Sequence, residues 1–403
     1  MRWDFESNMM NYDYVTPQAV VDTLTRYNND LFLPIDTERY FTDGTQRDKW
    51  YGAFQPRLGA SFALDDDQRT VIFGGYGIFY DRTVFDNAIE ESFALQHPSY
   101  RIPLKPVGDP DPGRFEFDPA DMDNREALEA LLDNAAANQA EVKLLPNDLR
   151  PPKSQQFSLG IRRLFGAFAV EAAYTGVRSE NVLTFYWTNI DFVPCAPPDE
   201  ARNCFQAFDV PGFSDVLIAD DAGKTWYDAL QVKVDRGYQL LENGYGWGAG
   251  LAYTLANRET EGFNDLFSRP NRRFYPRQDR NDERHRVVAH WTVGFPQLGG
   301  FQFSGIGTYG SGSNLDVGNR EQPEFEPAAF DTPAYMVLDL RLRKDFPVMR
   351  GSRVSVTGDL FNAFNEQTLG CYSTFDPNAD DFGNAGCVNN DPRRFQIGLE
   401  YDF

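Results

Sequence analysis

The last eleven residues of the chain alternate strictly between apolar and polar or small side chains. The apolar positions are Phe395, Ile397, Leu399, Tyr401 and Phe403, and the positions between them are Arg394, Gln396, Gly398, Glu400 and Asp402. Successive side chains of a β-strand point to opposite faces, so this pattern predicts a strand with one apolar and one polar face. Such a strand suits lipid on one side and water on the other, although an edge strand of a soluble protein also alternates.

The same period-2 pattern recurs along the chain and predicts twelve strands. They lie at about 2–8, 49–64, 69–81, 153–164, 167–178, 224–236, 245–257, 284–295, 301–309, 336–342, 354–360 and 394–403. The third is apolar on both faces, with Phe73 and Phe79 on one and Ile72 and Tyr76 on the other. The pattern therefore leaves open which face of this strand meets lipid.

Short turns and long loops alternate between the predicted strands, which places every long loop at one end of the sheet. The first long connection, 9–48, is interpreted as a polar loop, and 82–152 contains a predicted helix around Leu128, Leu131 and Leu132, capped by Asp121 or Asp123. Outer-membrane barrels have this asymmetry of short periplasmic turns and long extracellular loops. A soluble propeller is the alternative, but the repeat of blade length that it requires is absent.

Composition fits such a barrel. Aromatic residues make up 15% of the 403 residues, with 34 Phe and 19 Tyr, and the mean hydropathy is -0.50. The sequence has no run of about 18 apolar residues, which a membrane-spanning helix requires. Strands cross a bilayer with about ten residues, of which only every second one has to be apolar.

The net charge of -22 argues against nucleic acid as a partner, because phosphate contacts require an excess of Lys and Arg. The acidic residues concentrate between strands, for example at Asp118, Asp121 and Asp123. These acidic segments are interpreted as solvated loops. The alternative is that they attract cations to the extracellular opening of the barrel.

The four cysteines form two local pairs in predicted loops, Cys195 with Cys204 and Cys371 with Cys387. Local pairs in exposed loops predict disulfides and an oxidising compartment, with free buried thiols as the alternative.

Motifs for catalysis or cofactor binding are absent from the sequence. There are three histidines, and no HExxH, GxSxG, phosphate-binding loop or paired CxxC. We therefore expect no enzyme activity, no catalytic residues, no bound metal and no cofactor.

Five segments together resemble the C-terminal barrel of TonB-dependent outer-membrane receptors, in particular the Oar-like branch. They are 56–59 (PRLG), 74–82 (GGYGIFYDR), 227–232 (YDALQV), 282–286 (DERHR) and 359–365 (DLFNAFN), and the aromatic C-terminus at Phe403 completes the set. Each segment is short, but their order and spacing cover nearly the whole chain.

The resemblance implies an all-β, transmembrane antiparallel β-barrel of twenty-two strands with an N-terminal plug and a TonB-contacting segment. The twelve predicted strands, and a start without the apolar region of an export signal, lead us to expect that residues 1–403 are the C-terminal part of such a barrel, without plug and N-terminal strands. The expected location is the outer membrane of a Gram-negative bacterium.

The implied function is uptake of a scarce ligand, with loops 82–152, 179–223, 258–283 and 366–391 as candidate ligand-facing regions. Expected partners are outer-membrane lipid, the barrel-assembly machinery through the C-terminal strand, and TonB through the N-terminal part alone. The alternative is a passive outer-membrane pore of twelve strands, since an even number of strands permits closure.

Overall fold

The computed structural model describes residues 1–5, 10–82, 85–96, 104–108, 115–134, 140–194, 203–262, 267–268, 277–279, 282–296, 299–316, 329–348, 351–373 and 381–403. Twelve strands carry the fold: β1 (Arg2–Trp3), β2 (Arg57–Ala63), β3 (Thr70–Tyr80), β4 (Lys153–Phe165), β5 (Phe168–Trp187), β6 (Phe213–Leu240), β7 (Gly246–Glu261), β8 (His285–Phe295), β9 (Phe301–Gly310), β10 (Tyr335–Pro347), β11 (Arg353–Phe361) and β12 (Arg394–Asp402). The all-β prediction is confirmed.

Each of the strands β2 to β12 pairs antiparallel with its neighbour in sequence, which makes one continuous meander. β1 pairs with Phe54–Gln55, the short strand that leads into β2. The turns between β2 and β3, β4 and β5, β6 and β7, β8 and β9, and β10 and β11 are all short, so the long connections lie together at the other end. Within the described residues β2 and β12 are not paired with each other.

Short elements occupy the long connections. The helices are α1 (Gln18–Tyr27), α2 (Thr37–Tyr40), α3 (Phe85–Gln96) and α4 (Arg125–Asn134), with 3-10 turns at Asn28–Asp30 and Pro119–Asp121. The short strands are Leu104–Lys105, Phe115–Glu116, Ala140–Leu144, Ile190–Pro194, Asn203–Ala207, Phe267–Ser268, Gln278–Asp279, Asn314–Asp316, Ala329–Asp331, Leu369–Tyr372 and Ala385–Val388. No helix in the described ranges is long and apolar enough to cross a membrane.

Three sequence interpretations need correction at the long-loop end. Residues 9–48 are not a plain polar loop, because α1 and α2 lie within them. β5 and β6 extend beyond the predicted bounds of 178 and 224, to Trp187 and back to Phe213. The helix predicted in 82–152 is present as α4, but Asn124 caps it by accepting from the backbone N–H groups of Glu126 and Ala127.

The apolar face of the meander is exposed over many adjacent strands. Leu58, Phe62, Leu159, Ile161, Leu251, Leu342, Phe395, Ile397, Leu399, Tyr401 and Phe403 are among the large apolar residues that it leaves exposed. Soluble monomers rarely expose a contiguous apolar surface of this extent. The face is therefore a membrane surface.

Register resolves which face of β3 meets lipid. Ile72 and Tyr76 are exposed and lie opposite Phe62 and Leu58 of β2, which are themselves strongly exposed. Phe73 and Phe79 consequently belong to the polar face, opposite Gly160 and Ser154 of β4.

The polar face carries ion pairs within and between the last three strands, β10 to β12. On β10, Arg341 donates from Nε to Asp359 at 2.5 Å, and Arg343 donates to Asp345 at 2.8 Å and to Glu400 at 2.9 Å. The polar face lies on the side of the sheet opposite to the lipid. The ion pairs neutralise the charged side chains there.

The assignment of faces predicts opposite effects for two adjacent substitutions in β4. Leu159→Arg places a charge on the apolar face and is expected to lower the free energy of unfolding by about 2–4 kcal/mol near the bilayer midplane. Ser158→Arg is the matched control on the polar face. We expect it to change the free energy of unfolding by about 0.5 kcal/mol or less. Urea unfolding of protein refolded in lipid vesicles measures both, and equal costs would contradict the assignment.

Candidate functional site

A folded layer of loops, here called the outer cap, covers the long-loop end of the meander. It consists of residues 10–53, 85–96, 140–150, 183–190 and 208–221. About ten residues suffice for a strand to cross a bilayer, whereas β5 has 20 residues and β6 has 28. The cap is built on the parts of these two strands that extend past the membrane.

The centre of the outer cap is a small sheet with both faces buried. Val216, Leu217, Ile218 and Ala219 of β6 are all nearly or fully buried. They pair antiparallel with the end of β5 and parallel with the short strand Ala140–Leu144. Continuous apolar runs of this kind are typical of strands that are covered on both faces.

Two apolar clusters cover the two faces of this sheet. On one face, Val20 and Leu24 of α1 join Leu31, Ile35 and Tyr40 against a strand surface; that surface consists of Val142, Leu144, Tyr186, Val216 and Ile218. On the other face, Ala88 of α3 packs with residues of the sheet and of the following loop; these are Leu145, Leu149, Phe185, Leu217 and Ala219, together with Met10. Burying one such Leu side chain contributes roughly 1.5–3 kcal/mol, so the cap has a core of its own.

A fully buried ion pair joins three separate segments of the outer cap. The side chains of Arg47 and Glu91 have no exposed surface, and Arg47 Nη2 lies 2.6 Å from Glu91 Oε1. Arg47 Nη1 donates to the second carboxylate oxygen at 2.7 Å, which makes the pair bidentate. A buried pair is tolerated when the geometry is good and the remaining donors are satisfied.

The remaining donors of Arg47 are all used. They go to the backbone oxygens of Asn11 and Leu145 and to Oδ1 of Asn147, at 3.0 Å, 3.1 Å and 3.2 Å. The amide of Leu145 donates to Glu91 Oε1 at 3.0 Å. The pair therefore ties the first long connection to α3 and to the loop after Ala140–Leu144.

Two further charged side chains, the buried Lys143 and the partly exposed Arg39, tie the cap together. Lys143 donates to Glu90 at 2.5 Å and lies 3.1 Å from Glu141. Arg39 binds Asp148 at 2.9 Å and Asp221 at 3.1 Å.

The pKa values of the buried groups follow from this arrangement. Burial raises the pKa of Glu91, against the opposing effect of Arg47. Burial also raises the pKa of Tyr14, whose ring lies under the Arg47 guanidinium. For Lys143, burial opposes the charge, but hydrogen bonds to Glu90 and Glu141 outweigh it and raise the pKa.

The predicted cysteine pairs have different outcomes. Cys371 and Cys387 form a disulfide with 5.3 Å between their Cα atoms, across the hairpin of Leu369–Tyr372 and Ala385–Val388. Cys195 and the side chain of Cys204 lie outside the described residues, although the backbone of Cys204 pairs with Val193.

The candidate ligand-facing loops are only partly described. Residues 85–96 and 140–150 of the first loop and 183–190 and 208–221 of the second lie in the outer cap, and the disulfide hairpin lies within 366–391. Much of 258–283 falls outside the described residues. Among the residues that are described, no group of three or more His, Cys, Asp or Glu side chains is arranged to hold a metal ion.

Sequence reasoning missed Arg47, Glu91 and Lys143. The spacing of Val20 and Leu24 in the first long connection was a helical signal that pointed to a buried element there. Arg47 and Glu91 are 44 positions apart in the sequence, so no local pattern indicates their pairing.

The buried pair predicts a strong local effect for the loss of one partner. Glu91→Leu leaves the Arg47 charge buried without compensation, and we expect the outer cap to lose about 3–5 kcal/mol of local stability. Arg47→Met combined with Glu91→Leu is expected to recover most of that loss. Hydrogen exchange of the backbone amides of α1 measures local opening of the cap.

The matched control is the exposed pair Arg125–Glu129 in α4, whose side chains are 89% and 56% exposed. Glu129→Gln is expected to change local stability by about 0.5 kcal/mol or less. Equal exchange in Glu91→Leu and Glu129→Gln would show that the buried pair does not hold the cap.

This architecture is shared with known proteins. The family model described as outer membrane beta barrel domain matches residues 1–329, and no curated protein matches the chain. Among solved structures, the outer membrane transporter YddB from Escherichia coli is 9% identical with a TM-score of 0.52, and the match covers 86% of this chain and 39% of YddB.

The ferripyoverdine receptor of the outer membrane of Pseudomonas aeruginosa is 13% identical with a TM-score of 0.47, covering 88% of this chain and 34% of the receptor. The chain thus spans less than half the length of either protein. At such identities the similarity to YddB shows the fold alone. The match to the family model, which extends over most of the chain, shows that the protein belongs to the outer-membrane β-barrel domain family, resides in the cell outer membrane and contacts its lipid.

Proposed function

We propose that the chain forms barrel wall and outer cap of a TonB-dependent receptor that takes up a scarce ligand. The observation that carries this proposal is the outer cap, a layered structure with two apolar clusters and a fully buried ion pair. Long loops with their own folded core are usually functional, and binding residues are often placed on loops above a rigid scaffold. A passive pore has no evident use for such a cap.

The similarity to YddB, a protein described as an outer membrane transporter, supports transport as the activity. Since the match covers 39% of YddB, we propose that residues 1–403 are the C-terminal portion of the receptor. A plug and the TonB contact would then belong to a further part of a barrel of twenty-two strands. Binding and translocation would proceed without covalent chemistry.

We also propose that β12 is the strand recognised by the barrel-assembly machinery. Its apolar face is exposed along its whole length, from Phe395 to Phe403. It pairs with β11 on one side, and its position at the end of the meander leaves its other side available in the described structure.

Uptake measured in cells tests the receptor proposal. Cells with and without the gene are compared for uptake of labelled ferric chelates, cobalamin and oligosaccharides at low concentration, with and without an uncoupler of the proton gradient. We expect saturable uptake of one class to depend on the gene and to be abolished by the uncoupler. Glu91→Leu is expected to reduce it strongly, because a loosened cap no longer presents a fixed binding surface, whereas Glu129→Gln leaves it unchanged.

The passive pore makes the opposite prediction. Gene-dependent flux would then rise linearly with concentration, ignore the uncoupler and be insensitive to Glu91→Leu. That combination would contradict the receptor proposal.

A further inference from the structure

A cavity of about 560 Å³ lies at the long-loop end of β1, β2 and β3. Its volume is in the range of small-molecule sites. Arginine and aromatic side chains dominate its lining: Arg2, Arg57, Arg82, Trp50, Phe79 and Tyr80. We call it the arginine cavity.

Arg57 is held in a fixed position within the arginine cavity. Its guanidinium lies 4.3 Å from the centre of the Phe79 ring, and Nη2 donates to Gln55 Oε1 at 3.2 Å. Gly77 makes room for this stack, because a Cβ atom there would lie 2.8 Å from the Phe79 ring and 3.4 Å from Cγ of Arg57. A guanidinium stacked on a ring keeps its planar edge available for a bidentate contact.

The arginine cavity has an excess of positive charge in a chain whose net charge is -22. Arg2 is neutralised by Asp4, to which its Nε donates at 2.8 Å, and Asp4 also accepts from Gln55. Neither Arg57 nor Arg82 forms an ion pair with a carboxylate in the described part of the chain. Asp81 also lines the cavity, so three arginines face two aspartates and the lining carries one excess positive charge. Arg57 and Arg82 supply the guanidinium groups that can meet an anion.

Aromatic rings border the same space. Trp50 and Tyr80 pack with their ring centres 5.1 Å apart at an interplanar angle of 56°, beside the Arg57–Phe79 stack. Rings in this arrangement offer faces and edges to a planar apolar group.

We propose that the arginine cavity binds the anionic oxygen group, carboxylate or phosphate, of a ligand that also carries a planar ring. The inference rests on the proposed function, since it names the chemical class of ligand received at the outer mouth. Arg57 and Arg82 contact the anion, and Phe79, Trp50 and Tyr80 contact the ring.

A second cavity of about 500 Å³ continues from the first and shares Phe79, Tyr80 and Asp81 with it. Its further lining includes the neutral polar side chains of Ser154, Gln156 and Thr225, and Lys153, whose charge is paired with Glu180. An elongated ligand anchored by its anion in the arginine cavity extends its uncharged polar part along this wall.

The test uses the full chain refolded in detergent micelles and four small probes: benzoate, phenyl phosphate, benzyl alcohol and inorganic phosphate. Ligand-observed NMR titration gives the dissociation constants. Benzoate and phenyl phosphate are expected to bind, more weakly at high salt, and benzyl alcohol and inorganic phosphate at least about tenfold more weakly, because each lacks one of the two groups recognised.

Substitutions then locate the binding. Arg57→Ala is expected to weaken benzoate binding by about tenfold or more, which corresponds to the loss of hydrogen bonds to a charged group. Arg57→Lys keeps the charge but not the planar fork, and is expected to give an intermediate loss. Arg82→Ala weakens binding as well, whereas Arg69→Ala, an exposed arginine in the short turn at the opposite end of the sheet, leaves it unchanged.

Equal affinity for benzoate and benzyl alcohol, or equal binding by Arg57→Ala and Arg69→Ala, would overturn the proposal. Circular dichroism and heat-dependent electrophoretic mobility establish that each variant is folded. If benzoate binds but uptake in cells is passive, the proposed function is wrong and the binding site stands. If uptake is energy-coupled, Arg57→Ala leaves it unchanged and benzoate does not bind, only the binding site is wrong.

Discussion

The bilayer imposes the constraint on which the rest of this structure depends, because hydrocarbon offers no partner to a backbone N–H or C=O group. The chain meets it with strands that pair in sequence order from β2 to β12. Strand pairing fixes the register, and register fixes which side chains face lipid, as Leu159 and Ser158 illustrate on adjacent positions of β4. The ion pairs of Arg341 and Arg343 are confined to the polar face for the same reason.

Outside the membrane, water can also satisfy backbone N–H and C=O groups, and the chain forms helices and loops as well as strands. β5 and β6 continue past the hydrocarbon, where protein covers both of their faces, and they become the centre of the outer cap. Here apolar burial and the Arg47–Glu91 pair hold segments distant in sequence together. The result is a fixed surface above a polar wall, with the arginine cavity at the junction of the two.

The strands in the membrane were predictable from sequence, because alternating apolar and polar side chains correspond directly to the lipid-facing and the polar face. β4 and β8 were placed within one residue of their observed bounds, Lys153–Phe165 and His285–Phe295. The prediction failed where both faces of a strand are buried, as at Val216–Ala219, since alternation disappears there. The outer cap and the arginine cavity depend on contacts between distant residues, such as Arg47 with Glu91, which periodicity does not record.

Sidedness tests the central claim, a strand meander that crosses the outer membrane with its folded cap outside. Asp22→Cys places a thiol on the exposed surface of α1, and Asp66→Cys places one in the short turn between β2 and β3. Intact cells are treated with a membrane-impermeant maleimide, with the unsubstituted protein as the background. We expect labelling of Asp22→Cys in intact cells and of Asp66→Cys only after the outer membrane is opened. The reverse pattern, or equal labelling of both in intact cells, would contradict the central claim.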